Sequence, residues 1–332
     1  MKHLVCRAVF LAACIFSFPT HAETHSAAAA KSALVLDITD TDTGLAAVGE
    51  RGHVLLFDND QWSLEQSPVS ATLTRVIQHD GQLWAVGHDG VIVRNSASGW
   101  QLLRQDIAGE QPLMDLLFVK QNEAIAVGAY GEFLRSVDGG KTWLEEMHEG
   151  LLYEEDREYL AELKLEASQE DYDYELSTML PHLNRVLTLS GNKLLMVGEL
   201  GLVALSDDNG NHWRRLDVGY EGSFFAATQI TVDKVNRLII GGLRGNVYYS
   251  DNAGLDWHRA TTESTATVNG FVANDNNELI ALASNGQALI SNDGGVTFTS
   301  RPLHQGETAV AGANLNGIIY IAGDRGIRQL DW

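Results

Sequence analysis

One short phrase recurs seven times along this chain, and a repeat at fixed spacing constrains a fold more tightly than any composition does. Small or apolar residues lead into Gly-x-x-Gly, and an alternating apolar run follows. The copies include Ala47-Val48-Gly49, Ala85-Val86-Gly87, Ala126-Val127-Gly128 and Met196-Val197-Gly198, and later Ile240-Gly241-Gly242, Leu282-Ala283 and Ile321-Ala322-Gly323. Their closing glycines are Gly52, Gly90, Gly131, Gly201, Gly245, Gly286 and Gly326, spaced by 38, 41, 70, 44, 41 and 40 residues. Five intervals agree on a period near 41, and the sixth carries roughly 29 extra residues.

A second phrase, Ser-x-Asp-x-Gly-x-x-aromatic, follows the first by about eight residues. It is complete at Ser136, Asp138, Gly140 and Trp143, at Ser206, Asp208, Gly210 and Trp213, and at Ser291, Asp293, Gly295 and Phe298. At Ser250, Asn252, Gly254 and Trp257, asparagine replaces the aspartate, and shortened relics end at Trp62 and Trp100. Five of the seven tryptophans therefore occupy one slot of the repeat. The phrase resembles the Asp-box of the bacterial neuraminidase repeat. Its aspartate accepts hydrogen bonds from its own turn, its glycine supplies left-handed backbone, and its aromatic packs inward. The box is read as a folding device and not as a catalytic site.

Each period divides into four short strands, in the second unit near 74–78, 82–87, 91–95 and 100–105. Four strands per period, repeated around a ring, predict an all-β fold, a seven-bladed β-propeller spanning 23–332. The last unit stops after its third strand. Its missing edge strand is expected from the start of the mature chain, before or around residues 32–38, which would close the ring.

The chain of 332 residues is 45% apolar and 20% charged, with 32 glycines against 5 prolines, as many tight turns require. Its net charge of −21 opposes binding to nucleic acid or to an anionic lipid surface. Residues 1–22 read as an export signal. Lys2 and Arg7 precede an apolar stretch from Ala8 to Phe18, and Thr20-His21-Ala22 is a small-residue cleavage site. This implies a periplasmic or secreted protein; the alternative is a lipoprotein anchored through Cys14 after Leu11-Ala12-Ala13. Both cysteines, Cys6 and Cys14, lie in this segment, so cleavage leaves no thiol chemistry. No later stretch is long and apolar enough for a membrane span.

The extra residues lie at 145–183, between the third and fourth blades. From Glu145 to Leu180 there are 13 acidic residues against Arg157 and Lys164. Leu152, Tyr159, Leu160 and Leu163 recur at helical spacing, and Ser168-Gln169-Glu170-Asp171 opens a second helix whose stripe is Tyr172, Leu176, Met179 and Leu180. Pro181 ends it. The segment predicts an acidic helical hairpin, either a solvated loop or a docking arm anchored by Tyr153, Tyr159, Tyr172 and Tyr174. As it belongs to no blade, its excision is expected to leave a folded propeller.

In a four-stranded meander, the turn between strands two and three shares a face with the connection to the next blade. Arg51, Arg244 and Arg325 occupy the third position of that turn, and Arg75 and Arg185 open inner strands near the same rim. These five arginines predict an anion-recognition face for carboxylates or an acidic peptide, with the acidic hairpin as its internal competitor. No catalytic residues stand out. There is no His-Glu-x-x-His, Gly-x-Ser-x-Gly or phosphate-binding loop, and the histidines lack metal-ligand spacing. Asp37, Asp40 and Asp42 precede Gly44 as in a calcium loop, but the twelfth position is Arg51, and the segment reads as a hairpin turn. Neither a metal nor a cofactor is expected.

The pairing of the two phrases, as in Ala126-Val127-Gly128 through Trp143, resembles the photosystem II stability/assembly factor family of exported propellers. The resemblance covers nearly the whole chain after residue 22. It implies a non-enzymatic assembly helper that binds a membrane or envelope protein partner through an arginine-bearing face, and the chain is expected to be a monomer. By repeat slot, Arg51, Arg244 and Arg325 are the matching positions. The alternative is a sialidase-like glycoside hydrolase. That would need three inward arginines and usually an early Arg-Ile-Pro, whereas the early units contain no such tripeptide.

Overall fold

Each copy of the repeat folds as an antiparallel meander. A computed structural model describes residues 26–274, 278–304 and 306–330; the export signal at 1–22 and its Cys14 alternative lie outside them. Blade 2 shows the pattern with strands Leu73–His79, Gln82–Gly87, Ile92–Ser96 and Gly99–Arg104. The seven sheets follow one another around a ring, with inner strands at Val35–Asp40, Leu73–His79, Leu113–Lys120, Leu183–Thr188, Phe224–Val232, Val268–Ala273 and Ala309–Leu315. Second strands such as Leu45–Gly49 and Leu194–Gly198 are buried at every position. They read as continuous apolar runs because a neighbouring blade covers each of their faces.

The core is divided in the same way, into one apolar cluster per blade interface. Trp62, Trp100, Trp143, Trp213, Trp257 and Phe298 each pack in or against a different cluster. The seventh, between blades 6 and 7, has Leu303 and Leu330 at its margin.

The turns carrying the second phrase are tied locally. Gly140 N–H donates to Ser136 Oγ at 2.8 Å, and that hydroxyl donates to Asp138 Oδ1 at 3.0 Å. Asp138 Oδ1 also accepts from the N–H groups of Lys141 and Thr142 at 3.0 Å. Asp208 and Asp293 repeat the arrangement with His212 and with Val296 and Thr297, while Asn252 Oδ1 accepts from the Ser250 hydroxyl and the Asp256 N–H. The Thr142 N–H and hydroxyl hold the Asp138 carboxyl down at about 2. A carboxyl whose folded value lies below its unfolded value of ~4 stabilises above that value, and the contribution is lost as the pH falls toward 2. The Thr142 amide resonance is expected to titrate near 2 and that of Asp256 not at all through its Asn252 partner. A Thr142 midpoint near 4 would show that the turn does not hold its carboxylate.

Ring closure departs from the expectation. Residues Ala27–Lys31 form a short helix, α1, capped by Ser26 Oγ, and Val35–Asp40 is the inner strand of blade 1 itself. Blade 7 has three strands, and no described residue pairs with the outer edge of Gly326–Gln329. The alanines of α1 are strong helix formers. Ala30 is fully buried in the cluster between blades 7 and 1.

Candidate partner-binding face

The turns between second and third strands project from one face. In blades 1 and 5 two successive residues are left-handed, Arg51 and Gly52 at φ 56° and 68°, then Arg244 and Gly245 at 57° and 69°. A Cβ on Gly52 would sit 2.1 Å from Val69 O, and one on Gly245 2.0 Å from Ser264 O. The glycine is pressed against the connection to the next blade, and the residue before it is exposed. Arg325 is exposed too, but blade 7 closes with a tighter two-residue turn, Gly323 facing Gly326. The matching residues elsewhere are Asp89, Tyr130, Leu200 and Asn285. Cations therefore occupy blades 5, 7 and 1 of the ring, and blades 2 to 4 carry none at this slot.

Arg75 and Arg185 are placed differently from the reading of five rim arginines. All seven inner strands break register at their third residue, which is Asp37, Arg75, Asp115, Arg185, Ala226, Gly270 and Ala311 in blade order. Four charges of alternating sign are thus followed by three small residues. Arg75 Nη1 lies 3.0 Å from Asp37 Oδ1 and its Nε 2.9 Å from Asp115 Oδ1, and Arg185 Nε is 3.5 Å from Asp115 Oδ2. The carboxylates also accept backbone N–H groups of the next blade, Asp37 from Val76 at 2.8 Å and Asp115 from Val186 at 2.9 Å. Burial pushes the Asp37 carboxyl up, partly offset by the two guanidiniums, and burial together with Arg75 lowers Arg185. Asp37, Arg75 and Arg185 of this layer line a cavity of about 190 Å3 together with Asn184 and Asn269. The layer is charge-balanced, and its arginines are committed to carboxylates within the protein. A sialidase centre would need a third arginine, and the described lining holds two.

The hairpin is likewise neither a free arm nor a solvated loop. Helices α2 (Glu154–Glu166) and α3 (Gln169–Met179) bury Leu160, Tyr172 and Leu176 in one cluster with Phe133, Val127, Leu202 and Trp213 of blades 3 and 4. Gly150 lies so near Trp213 that a Cβ would be 2.0 Å from its carbonyl oxygen. Of the four tyrosines, Tyr153 donates to Leu200 O at 2.5 Å under the Arg215 guanidinium, 3.7 Å from its ring. Tyr172 donates to Glu149 at 2.7 Å, whereas Tyr159 and Tyr174 are exposed. The hairpin covers the blade 3–4 side, opposite blades 7 and 1 across the ring, so it does not screen Arg51 or Arg325. It approaches Arg244 alone, across an open groove of about 1060 Å3 between Tyr153, Arg157 and Tyr220.

Among the described residues no group of three or more His, Cys, Asp or Glu side chains could hold a metal, and no helix is long and apolar enough to cross a membrane. A family model described as photosynthesis system II assembly factor YCF48 matches residues 93–301. Among curated proteins none matches the sequence. The fold is similar to YCF48 from Cyanidioschyzon merolae, with TM-score 0.66 and 15% identity over 90% of this chain and 95% of that one. It is similar to a YCF48 bound to a D1 peptide, with TM-score 0.62 and 15% identity over 90% and 92%. The WD40 propeller domain of Doa1 gives TM-score 0.63 at 14% identity over 90% and 93%. At these identities the structural likenesses establish the propeller fold.

Proposed function

Because this chain belongs to the photosynthesis system II assembly factor YCF48 family, we propose that it is an exported, non-catalytic propeller that holds a segment of an envelope or membrane protein. The observation that carries the reading is the arc of exposed arginines, Arg51, Arg244 and Arg325, on one face of a chain whose net charge is −21. Exposed guanidiniums on rigid turns suit carboxylates, which accept two N–H groups at once. The relative captured with a D1 peptide supports a polypeptide as the ligand class. The channel supports it as well, because its own carboxylates already neutralise Arg75 and Arg185, leaving recognition to the surface.

An acidic partner is therefore expected to bind in a salt-dependent manner. With a fluorescein-labelled peptide ending in four aspartates, the double variant Arg51→Ala/Arg244→Ala should weaken binding at least about fivefold at low ionic strength, with a shallower salt dependence. Equal anisotropy titrations for wild type and variant would rule out the arginine arc as the binding face.

A further inference from the structure

Among the described residues blade 7 has three strands, and a groove lies where a fourth would pair. We propose that an extended segment of the partner enters this groove as the fourth strand of blade 7, with its acidic residues toward its C-terminal end. The proposal rests on the arginine-face reading and says how the segment is held.

The edge is chemically ready. Leu330 N–H donates to Ile319 O at 2.8 Å, so with side-chain period two the main-chain groups of Ile327 and Gln329 point away from their neighbour strand. Among the described residues no strand pairs with this donor-and-acceptor edge, which is of the kind that another chain can extend. A short segment suffices, because the fourth strands of blades 3, 4 and 5 are themselves only two residues long, as in Leu144–Glu145.

The space beside the edge is about 680 Å3 and runs the height of the blade, from Lys31 and His304 to Asp60 and Ile318. Its floor is aromatic and aliphatic. Phe57 stands 5.2 Å from Trp62 and 5.5 Å from Tyr320, ring to ring, beside Ile327. Alternate apolar side chains of an extended peptide would cover this floor. Arg328 faces the same space, but its guanidinium is spent on Glu307 at 2.7 and 2.8 Å.

Charge sets the direction. The upper end of the groove meets the turns of blades 7 and 1 where Lys31 O lies against Gly326 and Glu50 N–H donates to Leu34 O. Lys31 lines that end of the groove, and the two turns that meet there carry the exposed Arg51, 4.0 Å from Glu50, and the exposed Arg325 next to Asp324. The lower end carries Asp60 instead. The fourth strand of every other blade is antiparallel to its third. Gly326–Gln329 runs downward from its turn, so an antiparallel guest runs upward and delivers its C-terminal end to the cations.

The test uses two labelled peptides of identical composition, alternating valine and threonine with three aspartates at the C-terminal end in one and at the N-terminal end in the other. The C-terminal form is expected to bind at least about fivefold tighter. Gln329→Pro, which removes an outward N–H without touching the Ile319 pairing, should abolish that preference while the melting temperature holds. Equal binding of both orders, or indifference to Gln329→Pro, overturns strand addition while leaving the arginine face intact. Loss of all acidic-peptide binding removes both readings. A chain starting at Ser26 that binds where one starting at Glu23 does not would assign the edge to the protein's own N-terminal residues and also overturn the proposal.

Discussion

Excising residues 149–179 and bridging the gap with glycine and serine is expected to leave blades 3 and 4 unfolded. The opposite expectation treated the segment as an ornament, because no blade needs its backbone. Its side chains say otherwise. Leu151, Leu152, Leu160, Tyr172 and Leu176 are each at most 6% exposed and share one cluster with Phe133 and Trp213. At about 1.5–3 kcal/mol for each large side chain, their burial is worth on the order of 10 kcal/mol. A domain's whole stability is about 5–15 kcal/mol. The low closure cost of a long loop is real, but it is small beside that sum. A single cut into the same cluster, Leu160→Ala, is expected to cost about 2–5 kcal/mol. Leu165→Ala, at a site 85% exposed, should fall within about 0.5 kcal/mol of wild type. Urea titrations of the three variants check this. A cooperative, near-native transition for the excised chain would show that blades 3 and 4 close without the hairpin.

What could be read ahead of the structure follows from how local each signal is. The turn glycines and the Ser-x-Asp-x-Gly phrase act within a few residues of themselves, so the ring of seven blades and the aromatic slot were legible. So was the apolar stripe of the hairpin, down to Tyr172, Leu176 and Met179. Its destination was hidden, because thirteen acids mask the stripe in composition and nothing local names Phe133 or Trp213 as its partner. The channel layer was missed for a related reason. Asp37 sits beside Asp40 and Asp42 in a sequence that reads as a hairpin turn, yet its partners are Arg75 and the Val76 N–H, a full repeat away. Only by setting the third residues of the inner strands side by side does the order Asp, Arg, Asp, Arg emerge. Arg325 shared its repeat slot with Arg51, but a turn one residue tighter changed its setting. The open edge of blade 7 could be counted from the missing strand, whereas α1 at its upper end reflects the helix propensity of consecutive alanines.

The channel layer supplies the second large effect. Asp115 is 1% exposed and holds four partners at once: it accepts the Val186 and Leu116 N–H groups at 2.9 Å and pairs with both Arg75 and Arg185. Asp115→Ala would leave two guanidiniums facing each other with Asp37 alone to neutralise them, and would strand a main-chain donor of blade 4. Removing one partner of a buried ion pair costs about 3–5 kcal/mol, most of it the penalty of the charge left behind. Removing both is milder, because the second deletion takes that charge away. Asp115→Ala/Arg185→Met is therefore expected to be more stable than Asp115→Ala alone, with a coupling of at least about 1.5 kcal/mol across the double-mutant cycle. Paired urea transitions measure it. Strict additivity would mean that the aspartate acts only through its backbone hydrogen bonds, and that the alternating charges contribute nothing to holding blades 1 to 4 together.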